Sequence, residues 1–321
     1  MSAIGERAAL LQHEWETGPR WAGITRDYSA QDVIRLRGSA AGEHGLARSG
    51  ASRLWGLLRS QDPVRALGAA AGDQAVQAAR AGVQAIYLPG WQPGDGNLAG
   101  HADPGQSLAP VVVGASGAPD AFELMKAMIE AGAAGVRFDD QLPAGDARGR
   151  SGQQVLIPTG QHIATLTAAR LAADVLDVPS LVIARTGARA ASLLTSDTDE
   201  RDQEFLTGER TAEGFHRVEP GLYACGTRAL AFAPYTDLLW LETPAPDLAA
   251  ARAFACVIHS QYPGKLLAYS CSPSFDRRAH LDEASIARFR AELAAMGYRF
   301  QFIPLAETTD RHASNDVPAY A

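Results

Sequence analysis

The stretch Val111–Asp140, "VVVGASGAPDAFELMKAMIEAGAAGVRFDD", decides the fold. It opens on a short run of β-branched residues. "DAFELMKAMIEAGAA" follows with apolar residues at helical spacing, and "GVRFDD" (135–140) is a second strand-length run. An apolar run too short for a helix, then an amphipathic helix, then another such run is the pattern of parallel strands joined by a crossover helix. The same alternation extends in both directions. Further runs are "VRALGAA" (64–70), "AIYLPGW" (85–91), "SLVIAR" (180–185), "DLLWLE" (237–242), "KLLAYS" (265–270) and "RFQFIPLA" (299–306). With "PVVVG" (110–114) and "GVRFDD" they make eight candidate strands, continuous enough in apolar residues to be buried on both faces. Helical patterns stand between most of them, including "GQHIATLTAARLAADVL" and "DEASIARFRAELAAMG". The latter opens on acidic residues and closes at Gly297, which suits the helix dipole and a C-cap. Eight such units predict an α/β fold of the (β/α)8 TIM-barrel type, with the chemistry at the C-terminal ends of the strands. An open doubly wound sheet is the competing reading, but no Gly-rich phosphate loop follows the first strand.

Composition narrows the function classes. The net charge of -7 and pI near 5.6 leave no basic surplus for phosphates, so nucleic acid is not an expected partner. No stretch approaches the roughly 20 apolar residues of a membrane span, and the N-terminus has no basic leader. Cys225, Cys256 and Cys271 lack metal-site spacing and are odd in number, as expected of a reduced, cytoplasmic chain. Two places depart from the pattern. Residues 90–110 form a connection of about twenty residues, rich in Gly and Pro, that is long for a barrel. The C-terminal "ETTDRHASNDVPAYA" is polar and aperiodic. The expected organisation is a helical N-terminal segment over 1–60, a barrel over 61–306 and a disordered tail over 307–321.

Several long blocks carry a resemblance to a known family. "TRDYSAQDVIRLRGS" (25–39), "AVQAARAGVQAIYLPGWQ", "NLAGH", "AFELMKAMIEAGAAG", "VLIPT", "ARLAADVLDVPSLVIART", "TSDTDERDQEFLTGERTAEGF", "LLAYSCSPSF" and "AMGYRFQFI" resemble isocitrate lyase from about residue 14 to 306. The resemblance implies a barrel of the isocitrate lyase and phosphoenolpyruvate mutase superfamily, whose Mg²⁺-dependent members make or break a bond beside a carboxylate. Isocitrate lyase itself splits isocitrate into succinate and glyoxylate in the glyoxylate cycle, usually as a homotetramer. It also implies that C-terminal helices are truncated here and that a segment of several dozen residues is missing before the third strand. A homo-oligomer is then an expectation weakened by those lost helices.

Set against the family's motifs, the candidate site is uneven. The family's metal carboxylates follow its third strand, where this chain has Gly114, Ala115, Ser116 and Gly117. Gly105 replaces the aspartate of "PDQS", which leaves Asp139, beside Asp140, as the remaining metal-ligand candidate for Mg²⁺. The family's "KKCGH" falls on Asp146–Arg150, so Arg148 stands at the thiol and Arg150 at the imidazole; position 137 is arginine in place of histidine. Arginine releases no proton at a workable pH, so neither Arg148 nor Arg150 replaces an acid/base group. A carboxylate pocket survives in part: Tyr87, Gly90, Trp91, Arg185, Glu242, Ser272 and Ser274 match substrate-binding positions. Ser270, Pro304 and the changed "RTGARAA" segment, Arg189 included, do not. Tyr87 and Trp91 serve equally as core, the two serines as turn caps, and Asp139 as an arginine's partner. Cys271 is expected to pack in the core, and "DERDQEF" (199–205) to be solvated. The reading that follows is an isocitrate lyase-family protein impaired in the standard cleavage. The alternatives are an active isocitrate lyase and a metal-independent protein for di- or tricarboxylates.

Overall fold

The computed structural model describes residues 3–37, 42–68, 83–89, 109–116, 120–142, 154–271 and 282–302. Each of the eight runs forms a strand. They are β1 (Val64–Gly68), β2 (Ala85–Leu88), β3 (Val111–Ser116), β4 (Gly135–Asp139), β6 (Leu181–Arg185), β10 (Leu238–Thr243), β11 (Leu266–Cys271) and β12 (Tyr298–Phe302). All pair in parallel, and β1 pairs with both β2 and β12, so the sheet closes into a barrel in the order β1-β12-β11-β10-β6-β4-β3-β2. Four shorter strands make a separate sheet in the order β5-β7-β9-β8: β5 (Val155–Leu156), β7 (Leu193–Leu194), β8 (Leu206–Arg210) and β9 (His216–Val218). That second sheet was not foreseen. Two-residue strands such as β5 and β7 carry no periodicity to read.

Helices α1 (Ala3–Thr17), α2 (Ala30–Arg37) and α3 (Gly45–Leu58) precede the barrel, within the segment expected to be helical. Between strands stand α4 (Ala121–Glu130), α5 (Thr159–Val175), α6 (Leu222–Phe232), α7 (Leu248–Gln261) and α8 (Glu283–Ala295). Their starts follow N-cap chemistry: Asp120, Asp247 and Asp282 each accept a backbone N–H three residues on. The α8 helix is followed, as read from sequence, by Gly297 with φ of +92°.

Strand alternation divides the core into two layers. Val136, Phe138, Val182, Ala184, Leu239 and Leu241 face outward and pack on α4 to α7. Tyr87, Ile183, Trp240, Ala268 and Phe300 fill the barrel interior, in one cluster with Ala51, Leu54 and Leu58 of α3 and with Val64, Leu181 and Leu238 at the strand starts. Helix α3 therefore covers the N-terminal end, and the opposite end is left for chemistry. One expectation needs correction. Within "DERDQEF", Asp202 is 2% exposed and Phe205 7% exposed, because they anchor the second sheet rather than lie in solvent. Among the described residues no helix is long and apolar enough to cross a membrane. The tail 307–321 lies outside the described residues.

Candidate functional site

At the C-terminal end of β4, alternation points Arg137 and Asp139 to the same, inner face. Asp139, 4% exposed, receives one guanidinium on each oxygen: Arg137 Nη2 lies 2.8 Å from Oδ2, and Arg185 Nε lies 3.2 Å from Oδ1. The register places Asp139 directly beside Arg185 on β6. Arg185 also reaches β10, donating from Nη1 to Glu242 Oε1 at 2.5 Å. Glu242 Oε2 accepts from Ser270 Oγ at 3.2 Å, and that hydroxyl accepts from Trp240 Nε1 at 2.8 Å. Four strands thus contribute to one chain of ion pairs and hydrogen bonds across the barrel mouth. Burial pushes the Asp139 carboxyl up, but the two guanidiniums outweigh it and hold it below the usual carboxylate range. Burial opposes the charge on Arg185 as well, and Asp139 and Glu242 override it, so its pKa is raised. Of the two carboxylates in this network Glu242 is the more exposed, half-buried with 28% of its side-chain surface accessible.

Beneath this network Tyr87 is 1% exposed, its ring 5.1 Å from that of Trp240 and 4.8 Å from that of Phe302. The Arg137 guanidinium stacks over both, 5.2 Å from the Tyr87 centroid and 5.3 Å from that of Trp240. Burial lifts the Tyr87 phenol to about 12, so it is neutral at physiological pH.

Of the residues expected in the site, Asp139, Arg185 and Glu242 come together, and Tyr87 lies just below them. Gly90, Trp91, Arg148, Arg150, Ser272 and Ser274 lie outside the described residues, as do Gly105 and Pro304. Arg189 stands apart, 3.5 Å from Asp247. Asp140, Asp139's neighbour, points the other way and is structural. It accepts from Gly187 N at 2.8 Å and from Arg228 Nε at 2.8 Å, while Arg228 Nη1 bonds Asp202 Oδ1 at 2.6 Å. Sequence reading missed Arg228 and Asp202, which are remote from the barrel motifs. It noted Arg137 only as a replacement for histidine, although the spacing of two to Asp139 on a strand was signal enough. Cys271 is buried as expected, and burial raises its thiol to about 11 and that of Cys225 to about 12. Neither is a proton donor tuned to neutral pH.

The described residues of the mouth do not fit a divalent cation. Mg²⁺ asks for near-octahedral oxygen ligation with a carboxylate free to face it, and both Asp139 oxygens face guanidiniums. Nor can β3 offer an acid at position 114. A Cβ there would stand 2.6 Å from Tyr87 Oη and 2.9 Å from the Pro89 carbonyl oxygen. Among the described residues, no group of three His, Cys, Asp or Glu side chains is placed to hold a metal.

Comparison with known proteins bears on this geometry. The family model "Isocitrate lyase family" matches residues 108–209 and 207–317. Isocitrate lyase 1 of Mycobacterium tuberculosis is 50% identical over 349 residues, covering 95% of this chain and 82% of that protein. Isocitrate lyase of Escherichia coli is 49% identical over 344 residues, covering 92% and 79%. Both alignments are longer than the chain's 321 residues, so these relatives carry segments within the matched span that this chain lacks. Among solved structures, oxaloacetate acetylhydrolase bound to 3,3-difluorooxalacetate aligns with a TM-score of 0.57 at 17% identity, over 80% of each chain. A phosphoenolpyruvate phosphomutase from Streptomyces platensis subsp. rosaceus aligns with a TM-score of 0.51 at 19% identity, over 79% of this chain and 80% of that one. At such identities these structures share the fold.

Proposed function

Because the chain belongs to the isocitrate lyase family, we propose that it keeps the family's carboxylate-facing barrel mouth but cleaves isocitrate to succinate and glyoxylate far more slowly than an intact member. The observation that carries this reading is Asp139 held between Arg137 and Arg185. Cleavage of this kind needs negative charge developing on a carboxylate-stabilised carbanion to be met by a cation, and a proton to be delivered to it. Among the described residues, the two guanidiniums of the mouth, Arg137 and Arg185, are already matched by the carboxylates Asp139 and Glu242, which leaves little positive charge there for a substrate. Proton delivery fails on separate grounds. Arg148 and Arg150 hold their protons at any workable pH, and the Cys225 and Cys271 thiols are raised far above neutrality.

Purified chain incubated with isocitrate and Mg²⁺, with glyoxylate trapped as its phenylhydrazone, tests this directly. The expected rate is about 10²–10⁴-fold below that of an intact relative, the usual cost of losing an acid/base group. The second reading, an active isocitrate lyase of the glyoxylate cycle, is favoured by half-identity across 95% of the chain. Turnover matching the relative would establish it. The remaining alternative, a metal-independent protein for di- or tricarboxylates, would require the ligand to displace Glu242 from Arg185. A cytoplasmic protein that assembles as a homo-oligomer fits the first reading.

A further inference from the structure

We infer that Arg137 takes the place of a divalent cation at Asp139, an internal guanidinium that holds the mouth's carboxylates together without metal. Three features of the site converge on this. Arg137 Nη2 occupies one oxygen of Asp139 at 2.8 Å while Arg185 covers the other, so a dication approaching that carboxylate would meet two positive charges. The arginine is locked from behind by the rings of Tyr87 and Trp240. Gly114 completes the fit: it lies beside Arg137 in the register of β3 with β4, and a Cβ on it would stand 3.3 Å from Arg137 Nη2 and 2.6 Å from Tyr87 Oη. The bare position on β3 and the arginine on β4 are therefore complementary. The strand that offers no acid makes the room in which the guanidinium sits.

The role is positional. Arg137, 6% exposed, neutralises Asp139 and fixes its orientation, which lets Asp139 hold Arg185 against Glu242. The inference rests on the mouth being the family's ligand end, as proposed above, but not on whether cleavage occurs there.

The full chain should be titrated with Mn²⁺, following loss of the free-ion electron paramagnetic resonance signal, and melted in Mg²⁺ and in EDTA. The expected result is no stoichiometric Mn²⁺ and one melting temperature in both buffers. Arg137→Gln should lower the melting temperature by about 5–10 °C, as for a broken buried ion pair, and Arg137→Lys should restore part of that loss because a point charge survives. One Mn²⁺ held per chain and released in Asp139→Asn would overturn the inference, as would equal losses for lysine and glutamine. Should Arg137→Gln fail to fold, the Mn²⁺ titration of the unmodified chain decides alone. Full isocitrate turnover with Mg²⁺ but no Mn²⁺ at Asp139 would refute the functional reading and leave this one standing.

Discussion

At Gly114 a single missing side chain shapes the site, since the Tyr87 hydroxyl and the Pro89 carbonyl close over it. Gly114→Ala must move backbone or a packed ring, and is expected to cost about 1–3 kcal/mol in equilibrium urea unfolding. A substitution without loss would mean that the β2–β3 contact is looser than the 2.6 Å and 2.9 Å approaches indicate. At this scale the sequence was partly legible. Asp139, Arg185 and Glu242 lie at ends of recognisable strands, so their meeting at one barrel mouth follows from the fold. Which guanidinium serves which carboxylate does not follow. Arg185 and Glu242 are 57 residues apart, and only the strand registers bring them to 2.5 Å.

Strands and helices were the most legible level. A barrel strand is buried on both faces, so it stands out as an uninterrupted apolar run. Docking of the N-terminal helices was not legible, because it depends on buried ion pairs between distant segments. Arg20, just after α1, pairs with Asp237 across 217 residues. That carboxylate also takes Arg170 of α5 at 2.5 Å and the Val182 amide at 2.8 Å. Arg26 and Tyr28 converge on Asp174, at 2.7 Å and 2.6 Å. Asp237→Ala would strand Arg170, which is 1% exposed, and should cost about 3–5 kcal/mol by urea denaturation. The exposed Arg35–Asp32 pair on α2 provides the contrast, since Arg35→Ala should leave the urea midpoint essentially unchanged. Comparable losses at the two sites would contradict the account of docking.

For the whole molecule, acid sensitivity follows from His162 on α5, which is fully buried with its ring 4.6 Å from that of Phe232. Burial lowers its pKa from 6.5 to about 4, with Asp140 partly opposing the shift and Arg228 adding to it. The unfolded chain therefore binds this proton first as pH falls. Stability is complete above about pH 6.5 and drops by about 3 kcal/mol on the way to pH ~4. Asp139 is lowered instead, so its contribution is lost only further into acid. His162→Leu should flatten urea stability between pH ~6.5 and pH ~4, and an unchanged slope would assign that window elsewhere. The amino-acid sequence by itself determined the eight strands, the helices between them, the closed α/β barrel and the end at which its polar residues gather. All of these depend on local periodicity, which is written along the chain. Only the tertiary structure decided that Asp139 belongs to Arg137 and Arg185, that Asp140 and Asp202 share Arg228, and that a second sheet forms. Those outcomes depend on strand register and on which distant charges are left together when water is excluded.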